Sequence, residues 1–134
     1  MVELKKYKKV VFIDDDVDLA NSYVQKLKEK NLADYLICFS NVKDALGYLS
    51  KSKKRDLPDY ILLDLYFAGM NGFEFLSHLE KNHSWNGSPE IYVCSNSRNE
   101  QDRKQAMKYP FVSAFIEKPL SADFIELLIT DEQL

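Results

Sequence analysis

Cysteine is scarce in this chain, long apolar runs are missing, and neither sign of charge dominates. Only two of its 134 residues are cysteine. Cys38 and Cys94 stand far apart, each inside a short apolar run, and no zinc-type spacing exists. That pattern predicts buried free thiols in a reducing compartment. The basic stretch Met1 to Lys9 leads only into Val10 to Ile13 before three aspartates. Four apolar residues are too few for the core of a secretory signal or for a bilayer span. These absences predict a cytoplasmic protein. With 18 basic and 21 acidic residues, a net charge of −3 names no partner, and no large basic surface points to nucleic acid. The two histidines, His78 and His83, are isolated and read as surface residues, so a histidine phosphocarrier has no support.

What is present suits one globular domain. The apolar fraction is 46%, too high for disorder. A chain of this length buries roughly two thirds of its unfolded surface, enough for a core without disulfides or a structural metal. No repeat, low-complexity tract or interdomain linker is visible, and only Thr130 to Leu134 follow the last predicted helix. The expectation is one domain over residues 1–134, with its core at about 8–130 and no output domain.

Five apolar runs alternate with five helical patterns. The strands are predicted at Lys9–Ile13, Tyr35–Phe39, Tyr60–Leu63, Ile91–Cys94 and Val112–Glu117. A first helix should run from Val17 to Glu29, with Ala20, Tyr23, Val24 and Leu27 on one face. Asn41 reads as an N-cap before Val42, Ala45, Leu46 and Leu49. Phe75, Leu76 and Leu79 give the third helix its stripe, after a turn marked by Gly69 and Gly72. Arg98–Lys108 reads as a polar helix and Ala122–Ile129 as the last. Lys51–Asp56 reads as a solvated charged loop, and His83–Pro89 as a loop in which Trp85 serves as an anchor. Strand–helix alternation with nearly continuous apolar strands implies an α/β fold, a parallel sheet covered on both faces.

Polar residues recur where the apolar strands stop. Asp14 and Asp15 follow the first strand, Asp64 the third, Ser95 the fourth and Lys118 the fifth. The carboxyl ends of parallel strands share one edge, so these four segments should converge on one crevice. Clustered carboxylates repel unless a cation intervenes. Mg²⁺, which prefers oxygen ligands and pairs with phosphoryl oxygens, relieves that repulsion. Cation, ammonium and hydroxyl are what phosphoryl transfer needs, since its catalysis is mostly positioning and charge neutralisation. An aspartate can serve as the nucleophile.

The segments Val-Val-Phe-Ile-Asp-Asp-Asp (10–16), Ile-Leu-Leu-Asp-Leu-Tyr-Phe-Ala-Gly-Met-Asn-Gly (61–72), Cys-Ser-Asn-Ser (94–97) and Ile-Glu-Lys-Pro-Leu (116–120) together resemble the receiver domains of two-component systems. The resemblance covers nearly the whole chain. It implies a flavodoxin-like (βα)5 three-layer sandwich with strand order 2-1-3-4-5. It implies Asp64 as phosphoacceptor and metal ligand, Asp14 and Asp15 as the Mg²⁺-binding acidic pair, and the main-chain carbonyl of Tyr66 as the remaining protein ligand. Ser95 resembles the hydroxyl switch, Lys118 the phosphoryl-pairing lysine, and Pro119 the Lys-Pro step that is often cis. Phe115 falls where an aromatic rotamer switch sits.

Some positions depart from the family pattern. Ala68 stands for a common proline and Asn71 for a common aspartate, and Phe115 lacks the tyrosine hydroxyl. Tyr66 and Ser97 lie near the site where water would attack the phosphoaspartate. Asp16 reads as a solvated helix start.

The implied partners are a histidine kinase or histidine phosphotransfer protein and an unidentified downstream protein. No membrane is involved, and the oligomeric state is open between monomer and weak dimer. Phosphorylation would alter the face built from the fourth helix, fifth strand and fifth helix. The polar fourth helix should be among the least stable units. The last helix, with Phe124, Ile125, Leu127, Leu128 and Ile129, has more apolar residues than one stripe needs, and the surplus suggests docking. Such a domain is not an enzyme beyond promoting its own phosphorylation and dephosphorylation. Two other readings stand beside it. One is a receiver-shaped adaptor that signals by binding alone. The other is a small aspartate-nucleophile phosphatase, since Asp14-x-Asp16 resembles the opening of haloacid-dehalogenase-type enzymes, although the chain is short for such a core plus cap.

Overall fold

The computed structural model describes residues 7–67, 69, 71–82, 89–96 and 99–131. Ala68, His83, Trp85, Ser97 and Arg98, and most of the loop expected at 83–89, lie outside the described residues. In chain order the elements are β1 (Val10–Ile13), α1 (Val17–Lys28), β2 (Leu36–Phe39), α2 (Val42–Lys51), β3 (Tyr60–Leu63), α3 (Gly72–Asn82), β4 (Glu90–Ser95), α4 (Glu100–Met107), β5 (Val112–Glu117) and α5 (Ala122–Thr130). The five strands form one sheet in the order β2-β1-β3-β4-β5, with every neighbouring pair parallel. This is the flavodoxin-like order.

Alternation along each strand divides the core. Val11, Ile13, Ile61, Leu63, Ile91 and Val93 face α2 and α3, where Val42, Ala45, Leu49, Phe75, Leu76 and Leu79 are buried, and Ala106 of α4 joins them. Val10, Phe12, Tyr60, Leu62 and Cys94 face α1 and α5, against Ala20, Tyr23, Leu27, Ile125, Leu128 and Ile129. Both faces are thus covered, which is why β1 and β3 are apolar at every position.

Side chains fix the helix starts. Asp16 caps α1 by accepting from Leu19 N at 3.0 Å, as its reading as a helix start requires. Asn41 caps α2 through Asp44 N at 2.8 Å. Asn71 and Glu74 bond each other's backbone N–H groups reciprocally at 3.0 and 3.1 Å, a capping box for α3. The Lys51–Asp56 run differs from its prediction: Lys51 ends α2, and Lys54–Asp56 form a 3-10 turn. Ser52 Oγ donates to Tyr48 O at 2.8 Å and ties down the end of the helix. Residues 53–56 remain exposed.

In α5 the expected surplus is mostly absorbed. Ile125, Leu128 and Ile129 are buried, and Phe124 meets Tyr92 edge-on with centroids 5.9 Å apart. Leu127 alone of the five is well exposed, at 55%. Cys38 and Cys94 are free, and burial pushes their thiols up to about 11 and about 12. Among the described residues no helix is long and apolar enough to cross a membrane.

Candidate functional site

The sheet hydrogen bonding continues one residue past the strands, and this positions the carboxylates. Asp14 N donates to Phe39 O and Asp64 N to Ile13 O, both at 3.0 Å. Ile13 and Leu63 are register partners, so Asp14 and Asp64 leave adjacent strands side by side. On the other flank Lys118 N donates to Ser95 O at 3.0 Å. The ends of β1, β3, β4 and β5 therefore bring Asp14, Asp64, Ser95 and Lys118 to one cleft. It is lined by Asp14, Asp15, Asp16, Asp64, Tyr66, Ser95, Asn96 and Lys118.

Lys118 Nζ lies 2.7 Å from Asp14 Oδ2 and 3.3 Å from Asp64 Oδ2. Asp14 is almost wholly buried and Asp64 largely so, and buried carboxylates persist as anions only when paired. Asp14 Oδ1 also accepts from Asp16 N at 2.9 Å, and Asp64 Oδ1 from Leu65 N at 2.9 Å. Burial raises the pKa of Asp64 above the ordinary carboxylate value, opposed by the Lys118 charge and reinforced by Asp14. Burial works against the Lys118 ammonium, but its hydrogen bond to Asp14 and the charges of Asp64 and Asp14 outweigh that, and its pKa is raised.

Asp14, Asp15 and Asp64 each offer a carboxylate oxygen within 4.8 Å of the others, with Asp15 exposed at the mouth. An all-oxygen, anionic set open to water on one side fits a hard divalent cation such as Mg²⁺. Ser95 is buried in the same cleft. The sequence expectations for Asp14, Asp15, Asp64, Tyr66, Ser95 and Lys118 thus fall together. Phe115 does not line the cleft. It is half-buried beside Val93 in the cluster facing α2 and α3.

Asn96, Asp102 and Tyr23 were not among the expected site residues. Asn96 lines the cleft, a position that its adjacency to Ser95 could have suggested. Tyr66 donates from Oη to Asp102 Oδ2 at 2.5 Å, and Asp102 is buried in α4. Tyr23 of α1 donates to Leu120 O at 2.5 Å, just past the cis Lys118–Pro119 bond, and burial pushes its phenol up to about 12. Tyr23 therefore anchors the segment carrying Lys118. Tyr23→Phe should cost about 1 kcal/mol in urea unfolding, the net worth of a buried hydrogen bond.

Residues 10–130 match the family model described as response regulator receiver domain. Solved structures with the same fold include the phosphorylated cyanobacterial phytochrome response regulator RcpA, with a TM-score of 0.75 at 21% identity, covering 96% of this chain and 97% of that one. A two-component response regulator from Cytophaga hutchinsonii aligns with a TM-score of 0.73 at 20% identity over 92% and 94% of the two chains. The Francisella response regulator 1452 receiver domain gives 0.69 at 22% identity over 90% of each. None of the curated proteins compared is a significant match. At such identities the structural likeness speaks for the fold, while the family match spans nearly all of the sheet and its polar edge. The chain belongs to the response regulator receiver family of two-component systems.

Proposed function

We propose that the chain accepts a phosphoryl group on Asp64 from a phosphohistidine of a histidine kinase or histidine phosphotransfer protein. The observation that carries this reading is the placement of the Lys118 ammonium within 3.3 Å of the Asp64 carboxylate, in a cleft with two further carboxylates.

Asp64 Oδ2 attacks phosphorus, a P–O bond forms, and the donor's P–N bond breaks with its electron pair left on the imidazole nitrogen. Lys118 loses one buried anion when Asp64 is phosphorylated and gains a phosphoryl oxygen in its place, so its charge stays matched. Asp14, Asp15, Asp64 and the Tyr66 carbonyl would hold Mg²⁺, which when bound neutralises charge on the phosphoryl oxygens. Ser95, buried beside the acceptor, supplies a hydroxyl to the product, and Phe115 can respond only by repacking. The output is a changed affinity of the α4, β5 and α5 face for another protein.

Acetyl phosphate with Mg²⁺ should add the mass of one phosphoryl group to the intact protein, and Asp64→Asn should abolish that gain. A gain retained in Asp64→Asn, or none in the wild type, rejects the assignment. The second outcome is the one a binding-only adaptor would give.

A further inference from the structure

Tyr66 stands two residues after Asp64 and lines the cleft, with the residue about half exposed, yet its phenol does not end in water. Oη donates to the buried carboxylate of Asp102 at 2.5 Å, while the ring meets Phe73 of α3 edge-on. An O–H···O⁻ bond of this length belongs to the stronger, charge-assisted class.

The helix it reaches buries little apolar surface. Of the eight residues of α4, only Asp102 and Ala106 are buried, and Met107 turns outward at 41% exposure. An element with so little apolar burial opens at low free energy. Phe115 offers no hydroxyl through which the cleft could address the output face. Tyr66 does, and it sits on the very segment that carries Asp64.

We infer that Tyr66 is a tether through which the state of Asp64 sets the stability of α4. The inference rests on the phosphoacceptor reading. In the resting protein the phenol holds Asp102 and α4 is fixed. A phosphoryl group of about 1.5 to 2 negative charges replaces the single carboxylate charge of Asp64, a net gain of about 0.5 to 1, and sets three acceptor oxygens on the segment two residues away. Its oxygens compete with Asp102 for the phenol proton, the tether lets go, and α4 loosens. The two states differ in one hydrogen bond, which makes this a population shift biased by a local charge.

Amide exchange over residues 100–107 of the full chain tests this, with and without acetyl phosphate and Mg²⁺, each sample's intact mass reporting its phosphorylated fraction. Wild-type α4 should exchange about tenfold to a hundredfold faster when phosphorylated, the range expected for losing one such charge-assisted bond. Tyr66→Phe should already exchange at the faster rate at rest and gain less than twofold on phosphorylation, with α1 unchanged. A resting Tyr66→Phe rate within twofold of wild type overturns the tether, as does a full further rise on phosphorylation. A wild-type protein that takes up a phosphoryl group without loosening α4 overturns it too and leaves the phosphoacceptor reading intact. No mass gain in the wild type sinks both.

Discussion

Lys118→Met is expected to destabilise the fold by about 3 kcal/mol at pH 7 in EDTA, the cost typical of removing one partner from a buried ion pair. Methionine keeps most of the side-chain volume, so the loss is electrostatic rather than steric. Asp14, with 1% of its side chain exposed, loses its 2.7 Å partner, and Asp64 loses the group that opposes its desolvation.

The pH dependence has a definite sign. Asp64 already has a folded pKa above its unfolded value, and without Lys118 it must rise further. Between those two values the native state holds more protons than the unfolded chain, so stability falls as pH rises through that window. The deficit of the variant should therefore be largest at neutral pH and shrink as pH falls toward the ordinary carboxylate range. Mg²⁺ added in place of EDTA should recover part of it. Urea unfolding followed by circular dichroism at pH 7 and pH 4.5 reads both effects. A cost below about 1 kcal/mol at pH 7 would place the pair among screened surface bridges.

The same electrostatics explains why so much of the site is legible in the sequence. A strand that ends in a charged residue must end where water or a counter-charge is available. Asp14, Asp64 and Lys118 therefore announce the polar edge of the sheet, and parallel pairing does the rest. The ends of β3 and β5 fall where the apolar runs place them, because Pro58 and Asp64 bound one run and the Lys-Pro step bounds the other. Strand β2 starts one residue later than its apolar run, since Tyr35 closes a 3-10 turn begun at Ala33.

Periodicity fails in α4. There an aspartate is buried and a methionine exposed, the reverse of what side-chain polarity suggests. Asp102, buried there, accepts from a phenol 36 positions upstream, and a local pattern carries no trace of so distant a partner. The α5 surplus shrinks for a related reason. Phe124 meets Tyr92 of β4 edge-on, Tyr92 stacks on Tyr60 of β3 at 5.8 Å, and Leu127 is left as the well-exposed apolar side chain of the five.

Two glycines in helices should respond to alanine with opposite signs. A Cβ on Gly72 would stand 2.6 Å from Asp64 O and 2.7 Å from Leu65 Cα. Both are main-chain atoms, and Gly72 N is bonded to Leu65 O at 2.7 Å, so neither side can swing away. Helix α3 must retreat from the end of β3. Gly72→Ala should cost about 3 kcal/mol, at the upper end for overpacking. Because the retreat pulls on the peptide that aims Asp64, phosphoryl uptake from acetyl phosphate should slow as well. Gly47, in the interior of α2, has nothing within 4 Å of its would-be Cβ. Gly47→Ala gains helix propensity at no steric cost and should stabilise by about 0.5–1 kcal/mol. Urea midpoints for the two variants, compared with wild type, should move in opposite directions. If Gly72→Ala matches wild type, the close approach of α3 to the phosphoacceptor strand is not what fixes Asp64, and the capping box of Asn71 and Glu74 alone would have to carry that placement.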